Sequence, residues 1–413
     1  MRRRPSFVLG LVVTILVASS GACGPATDRA SDRPTGSAAV TAATPTTPAT
    51  GNASPEGGGT ATATAAPTTT PVPTPGHEVY GFLPYWEMDS GIAAHLRKTA
   101  LTTLGLFSVT AATNGTVDTT STAYARISGT LGRQLVREAH QRHTRVELVF
   151  SSFGFARNRA FFGDVARQDK TIASLVGLVR RLGLDGIDVD VELLDLQLVD
   201  AYGSFVGRLR AALVAADAAD RLSVATTGTV TGAVMAASAA EAGADRIFLM
   251  GYDYHWPESQ PGASSPIHRR DSDGGDLVKS LDLYAAVGVP VQRTLLGLPF
   301  YGMSWPVTDP SIGAASTGTG ASWILSQHAD VLNDRTIVPQ RDDREMVEVY
   351  TFRESGGGWR AVYVDSPATL AAKLDLANAR GLAGAGFWAI GYERGLPAYT
   401  ALVAAFAAGK PMQ

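Results

Sequence analysis

"LDGIDVDVELLD", Leu184 to Asp195, places four acids within eight residues, with residues suited to a buried strand between them. Alternate residues of a strand face the same side. Asp188, Asp190 and Glu192 therefore share one face, while Ile187, Val189 and Val191 share the other. Asp185 has the parity of the second set, and a structural role is expected for it. The bland alternative is an acidic strand end or a solvated loop. Three unpaired carboxylates on one face of an otherwise apolar strand would be costly without a purpose. In a parallel barrel the inner face of a strand leads to its C-terminal end, where active sites sit. The row then climbs toward the mouth, and Glu192 emerges at the top. Like charges in such quarters cannot all ionise, so at least one proton is retained, which is what a general acid needs.

The chain on either side of this strand has the matching rhythm. Apolar, β-branched runs begin at Val79, Leu101, Arg145, Leu184, Arg221, Arg246, Arg293 and Leu382, and amphipathic stretches lie between most of them. "TLGRQLVREAHQRH" from Thr130 and "SPATLAAKLDLANARG" from Ser366 have helical apolar spacing. The second opens on a Ser-Pro cap and closes at Gly381, which suits a left-handed C-cap. Eight β/α units in this order predict an α/β fold, a (β/α)8 TIM barrel spanning residues 78–410. A doubly wound sheet is the alternative, but no early strand is followed by GxGxxG. Between the seventh and eighth strands, residues 302–365 are too long for a plain crossover. They hold a hairpin signal, "MVEVYTF" and "WRAVYV" around "RESGGG", and a small inserted α+β lobe beside the barrel mouth is expected.

Composition narrows the function. The chain has 413 residues, 45% hydrophobic and 18% charged, with a formal charge of −3. That balance offers no electrostatic footprint for nucleic acid. Seven scattered histidines and a single cysteine form no zinc-binding pattern, so neither metal nor other cofactor is expected. A monomer is expected.

Residues 1–23 have the layout of an export signal: Arg2 to Arg4, then an apolar run from Phe7 to Ala18, then "SSGAC". The twelve-residue run is too short for a bilayer core of roughly 30 Å. "SGAC" resembles a bacterial lipobox in which Cys23 would be lipidated, although Ser20 stands where an aliphatic residue is usual; the other reading is cleavage after Ala22. Contact with a membrane is expected only through that lipid. Residues 24–77 are rich in Thr, Ala and Pro and nearly devoid of large apolar residues, a Pro-stiffened disordered tether. Its reach would lie between roughly 40 and 160 Å. A secreted or cell-surface protein is the expectation.

The motifs carry a family resemblance. "DGIDVDVE" matches the DGxDxDxE signature of glycoside hydrolase family 18, the chitinase-like family, at every fixed position. "LMGYDYH" resembles that family's MxYD strand, "GLPFYGMSW" its seventh-strand motif, "GFWAIGYE" its last strand and "GFLPYW" its first. These motifs occur in order and the likeness covers residues 78–405. It implies a retaining hydrolase of glycans containing N-acetylglucosamine, an acetamido-sugar polysaccharide or oligosaccharide, that uses the substrate's own acetamido group as nucleophile. Glu192 would be the acid, Asp190 would orient the acetamido group, Asp188 would tune Asp190, and Tyr252 would donate to the acetamido carbonyl. Met250 and Asp253 would line the same subsite, and Trp388 would form its aromatic floor. Tyr85, at the end of the first strand, is a further substrate-binding candidate. Trp86, Trp256 and Trp305 are equally readable as sugar platforms or as packing, and His255 as a satisfied polar residue.

Two positions depart from the family pattern. Leu193 stands where chitinases often have an aromatic residue, and Phe155 replaces the last glycine of SxGG. Both changes bear on which glycan is bound. The competing function is a non-catalytic, lectin-like glycan-binding protein on the same fold, and a structural cell-wall protein is a third.

Overall fold

The computed structural model describes residues 76–412 except 272, 273, 335 and 411. The export signal, Cys23 and the tether up to residue 75 lie outside the described residues.

The described residues form thirteen strands: β1 Glu78–Pro84, β2 Thr103–Val109, β3 Arg145–Phe153, β4 Gly186–Glu192, β5 Arg221–Thr227, β6 Arg246–Met250, β7 Thr294–Pro299, β8 Tyr301–Val307, β9 Ala321–Ile324, β10 Gln340–Asp342, β11 Val347–Arg353, β12 Trp359–Val364 and β13 Gly384–Trp388. Eight of them close into a parallel barrel in the order β1-β13-β7-β6-β5-β4-β3-β2. They are the eight strands expected from the apolar runs, so the (β/α)8 barrel is the fold. The other five form an antiparallel sheet in the order β10-β11-β12-β8-β9. This is the lobe between the seventh and eighth barrel strands, and the expected hairpin is its β11–β12 pair.

Strand parity sorts the core into two layers. Val79, Leu104, Val146, Ile187, Val189, Val191, Leu222 and Ile247 belong to the large cluster between barrel and helices. Tyr80, Phe82, Phe107, Val149, Ala225, Phe248, Met250 and Leu295 form a second cluster inside the barrel. Glycines make room for these rings: a Cβ at Gly105 would lie 2.7 Å from the Tyr80 hydroxyl, and one at Gly386 would lie 2.5 Å from the Phe248 ring. The helix Pro367–Ala379 shows local signals acting as expected. Ser366 and Thr369 form a reciprocal capping box, and Gly381 beyond the other end has φ +66°.

Candidate active site

The acid row of β4 lies on the barrel's inner face. Asp188 is fully buried, Asp190 nearly so, and Glu192 half-buried at the strand's C-terminal end. Asp188 is paired in register with Val149 on β3 and Ser223 on β5, and Asp190 with Ser151 and Ala225. Burial, followed by the neighbouring carboxyl of Glu147, pushes the Asp188 carboxyl well above the usual carboxylate range. Asp185, on the opposite side, accepts from the Val146 amide at 2.7 Å and lies 2.8 Å from His140 Nε2, a structural tie between β3, β4 and a helix.

The other sequence candidates fall around the same mouth, with differences. Met250 ends β6 within the inner cluster, and Tyr252 packs on that cluster from above. Asp253 has φ +58°; its amide donates to Ser264 Oγ at 3.0 Å, and its carboxylate accepts from Tyr301 Oη. The Tyr301 and Tyr252 rings meet edge to face at 6.2 Å. Trp388 packs edge-on against Phe107 at 4.6 Å and Trp86 at 6.4 Å. Tyr85 rests on the barrel-to-helix layer and on the edge of Trp86, and it is Trp86 that packs on the inner cluster. The short 3-10 turn Tyr85–Glu87 makes the difference, because it breaks the strand's strict alternation at that point. Trp305 is no sugar platform: it is fully buried in the lobe and donates its indole N–H to Pro257 O at 3.1 Å. His255 is buried, with Nδ1 2.8 Å from Gln260 O and Nε2 3.5 Å from Glu345.

Four features escaped the sequence reading. Glu147 on β3 is a fourth acid inside the barrel, itself buried, and accepts from Tyr80 Oη at 3.0 Å. A lone carboxylate on the Val149 parity of an apolar strand was the available signal. Ser151, level with Asp190, bonds Ser108 at 2.8 Å. Phe153, in register with Glu192, is 40% exposed and lies nearly parallel to Phe107, at 22°, extending the aromatic wall from Trp388.

The fourth is a clamp behind the acid. Asn158, fully buried on the helix Phe155–Phe162, donates to Glu192 O at 2.6 Å and Leu193 O at 3.2 Å, while Ser152 Oγ donates to its Oδ1 at 2.7 Å. Leu193 is held there at φ +58°, a left-handed conformation unusual for a branched side chain. The two departures from the family pattern thus lie at this clamp: Leu193 is the turn it holds, and Phe155 begins the helix that carries Asn158.

What the geometry offers is a carboxyl column rising from a buried floor to a half-open mouth, with an aromatic wall on one side and Tyr252 and Asp253 on the other. Chitinase 63 of Streptomyces plicatus is 28% identical over 221 residues, covering 49% of this chain and 35% of that protein. The chain spans roughly a third to just over half, 35–56%, of the length of the first curated relatives it matches. Among solved structures, a family 18 N-acetylglucosaminidase from Paenibacillus barengoltzii superposes with a TM-score of 0.67 at 18% identity, over 79% of this chain and 99% of that one. A chitinase-like agglutinin from Robinia pseudoacacia does so with 0.68 at 19%, over the same shares. At such identities these two likenesses concern the fold. The model of the glycosyl hydrolases family 18 matches residues 77–393, most of the described structure, and the chain therefore belongs to that family.

Proposed function

We propose that the protein is an exported, retaining glycoside hydrolase that cleaves β-1,4 linkages in glycans containing N-acetylglucosamine, with the substrate's acetamido group as the nucleophile. The single observation that carries this reading is the complete inward column Asp188–Asp190–Glu192, buried below and open above. In the proposed cycle Glu192 gives its proton to the glycosidic oxygen as that bond to the anomeric carbon breaks. The acetamido carbonyl oxygen closes on the same carbon to form an oxazolinium ion, and water activated by Glu192 then opens the ring. Asp190 orients the acetamido N–H and offsets the developing positive charge, and Tyr252 donates to the carbonyl oxygen. Trp388 lies under the sugar, with Phe107 and Phe153 continuing the apolar wall past Glu192. The names of the chitinase relatives and of the N-acetylglucosaminidase neighbour support an acetamido glycan as substrate. The export-signal pattern of residues 1–23 supports action outside the cytoplasm.

The test is turnover of a chromogenic N-acetylglucosamine oligomer and of purified peptidoglycan by the full chain. Glu192→Gln is expected to lower kcat by roughly 100-fold or more while oligomer binding persists. Undiminished turnover in that variant would overturn the assignment. A wild-type chain that binds the oligomer tightly but cleaves neither glycan would favour the lectin-like reading, for which the agglutinin neighbour shows that this fold serves.

A further inference from the structure

Beneath the catalytic column lies a carboxyl group that the proposed chemistry does not use. Glu147, 1% exposed, sits on the inner face of β3 and accepts from Tyr80 Oη at 3.0 Å, across the space left open by Gly105 on β2. Asp188 on β4 is fully buried, and neither of its oxygens has a hydrogen-bond partner among the described residues. Besides burial, the group acting on Asp188 is Glu147. No cation binds either carboxyl among the described residues. Arg221 and Arg246, at the closed end of the barrel, are bound to Glu78, 3.6 Å from Arg221 Nη1 and 2.6 Å from Arg246 Nε. Asp245, which also acts on Glu147, is held by Arg210 Nη2 at 3.2 Å and the Leu222 amide at 2.9 Å. The remaining groups on these elements are Ser223 of β5 beside Glu147, Asp190 above, and the buried Tyr202 hydroxyl, on which Asp188 and Asp190 both act.

Two carboxyls are thus enclosed with no ion pair of their own among the described residues, the Arg221 charge acting on Glu147 only from beyond contact, and with no donor to Asp188. A second negative charge there would have nothing to solvate it. We propose that Glu147 is a positioning residue for the acid column: it and Asp188 between them retain at least one proton beneath Asp190, so that the floor of the site carries no more than one negative charge at neutral pH. The titration directions agree with that geometry. Burial pushes Glu147 up to about 7, with Ser223, the Tyr80 hydrogen bond and the Arg221 charge pulling the other way, and it pushes Asp188 well above the usual range. As pH rises through neutrality, the charge that appears on the pair opposes loss of the proton that Glu192 delivers in the proposed cycle. That raises the upper limit of the pH range over which Glu192 can act as an acid. This consequence for turnover rests on the glycosidase reading, whereas the retained proton does not.

The experiment has two arms, both on the full chain. Infrared difference spectra of wild type against Glu147→Gln, followed against pH, read the proton without reference to activity. The expected result is a protonated-carboxyl carbonyl band in wild type with a titration near neutral pH, and loss of that titration from the variant. Tyr80→Phe removes a donor to the anion and should move that titration to higher pH. The same holds if Glu147→Gln proves unable to fold, so Tyr80→Phe then decides the arm alone. Absence of the band, or a titration unmoved in Tyr80→Phe, overturns the proposal. In the second arm the alkaline limb of the kcat profile should move to lower pH in Glu147→Gln by about one unit, the order expected for one like charge acting through a protein interior. A band that is present with an unmoved limb overturns the coupling to the column. A wild type inactive on every acetamido glycan would refute the glycosidase reading and leave the infrared result to decide the pair.

Discussion

Replacing Asn158 by alanine tests whether the acid is held from behind. In the native site Asn158 Nδ2 donates to Glu192 O at 2.6 Å and Leu193 O at 3.2 Å, and its Oδ1 accepts from Ser152. Glu192 O keeps a second donor in the variant, the Gly154 amide at 3.2 Å. Leu193 O loses its donor and Ser152 Oγ its acceptor, both at a fully buried position. At about 1–3 kcal/mol for each of the two buried polar groups left unmet, the expected destabilisation is about 2–6 kcal/mol. Leu193, at φ +58°, is then free to relax toward ordinary backbone and to take Glu192 with it. A displacement of about 1 Å at a reacting group costs up to roughly 100-fold, so kcat should fall by about 10- to 100-fold with KM nearly constant. Asn158→Asp, which removes the donation but keeps the shape and the acceptor for Ser152, should show the same loss of kcat. Urea denaturation and steady-state kinetics on the oligomer measure both effects. Destabilisation of less than about 1 kcal/mol with unchanged kcat would refute the clamp altogether. A large destabilisation with unchanged kcat would show that it serves the fold and not the acid.

Three further outcomes are expected. Trp388→Ala, which removes a ring in contact with Phe107, Trp86 and Phe82, should raise KM for the oligomer about tenfold, whereas Trp388→Phe keeps most of the affinity, as titration calorimetry on the Glu192→Gln background can verify. The pH dependence of stability should change in Glu147→Gln. Below the ordinary carboxylate value of 4.5 both folded and unfolded chains hold the Glu147 proton; between 4.5 and about 7 only the folded chain holds it, so wild-type stability falls as pH rises through that window. At 1.36 kcal/mol per unit the fall amounts to about 3 kcal/mol, and the variant should lack it in denaturant midpoints compared at the two ends of the window; parallel curves would contradict the burial of an acid there. Lys373→Met leaves Asp365 buried without its cation and should cost about 3–5 kcal/mol, while adding Asp365→Asn should restore much of the loss in the same denaturation assay.

Local pattern alone determined a good deal of this protein. Period-two alternation is a property of neighbouring residues, so eight barrel strands, the inward face of Asp188, Asp190 and Glu192, the β11–β12 hairpin and the capped helix after Ser366 could all be read along the chain. What the tertiary structure decided involves groups far apart in sequence. Whether Tyr85 or Trp86 meets Trp388 depends on a single turn at the end of β1. Trp305 is core because the lobe sheet closes over it. The Asn158 clamp joins a helix to the end of the next strand, 34 residues away, and the Tyr80–Glu147 bond joins strands 67 residues apart. Such pairs are set by strand register and barrel closure, which act between strands and leave no periodic trace within any one of them. The column's chemistry follows the same division. Its carboxylates are written in one strand, but the burial and the neighbouring acid that raise Asp188 exist only once eight strands have closed around them.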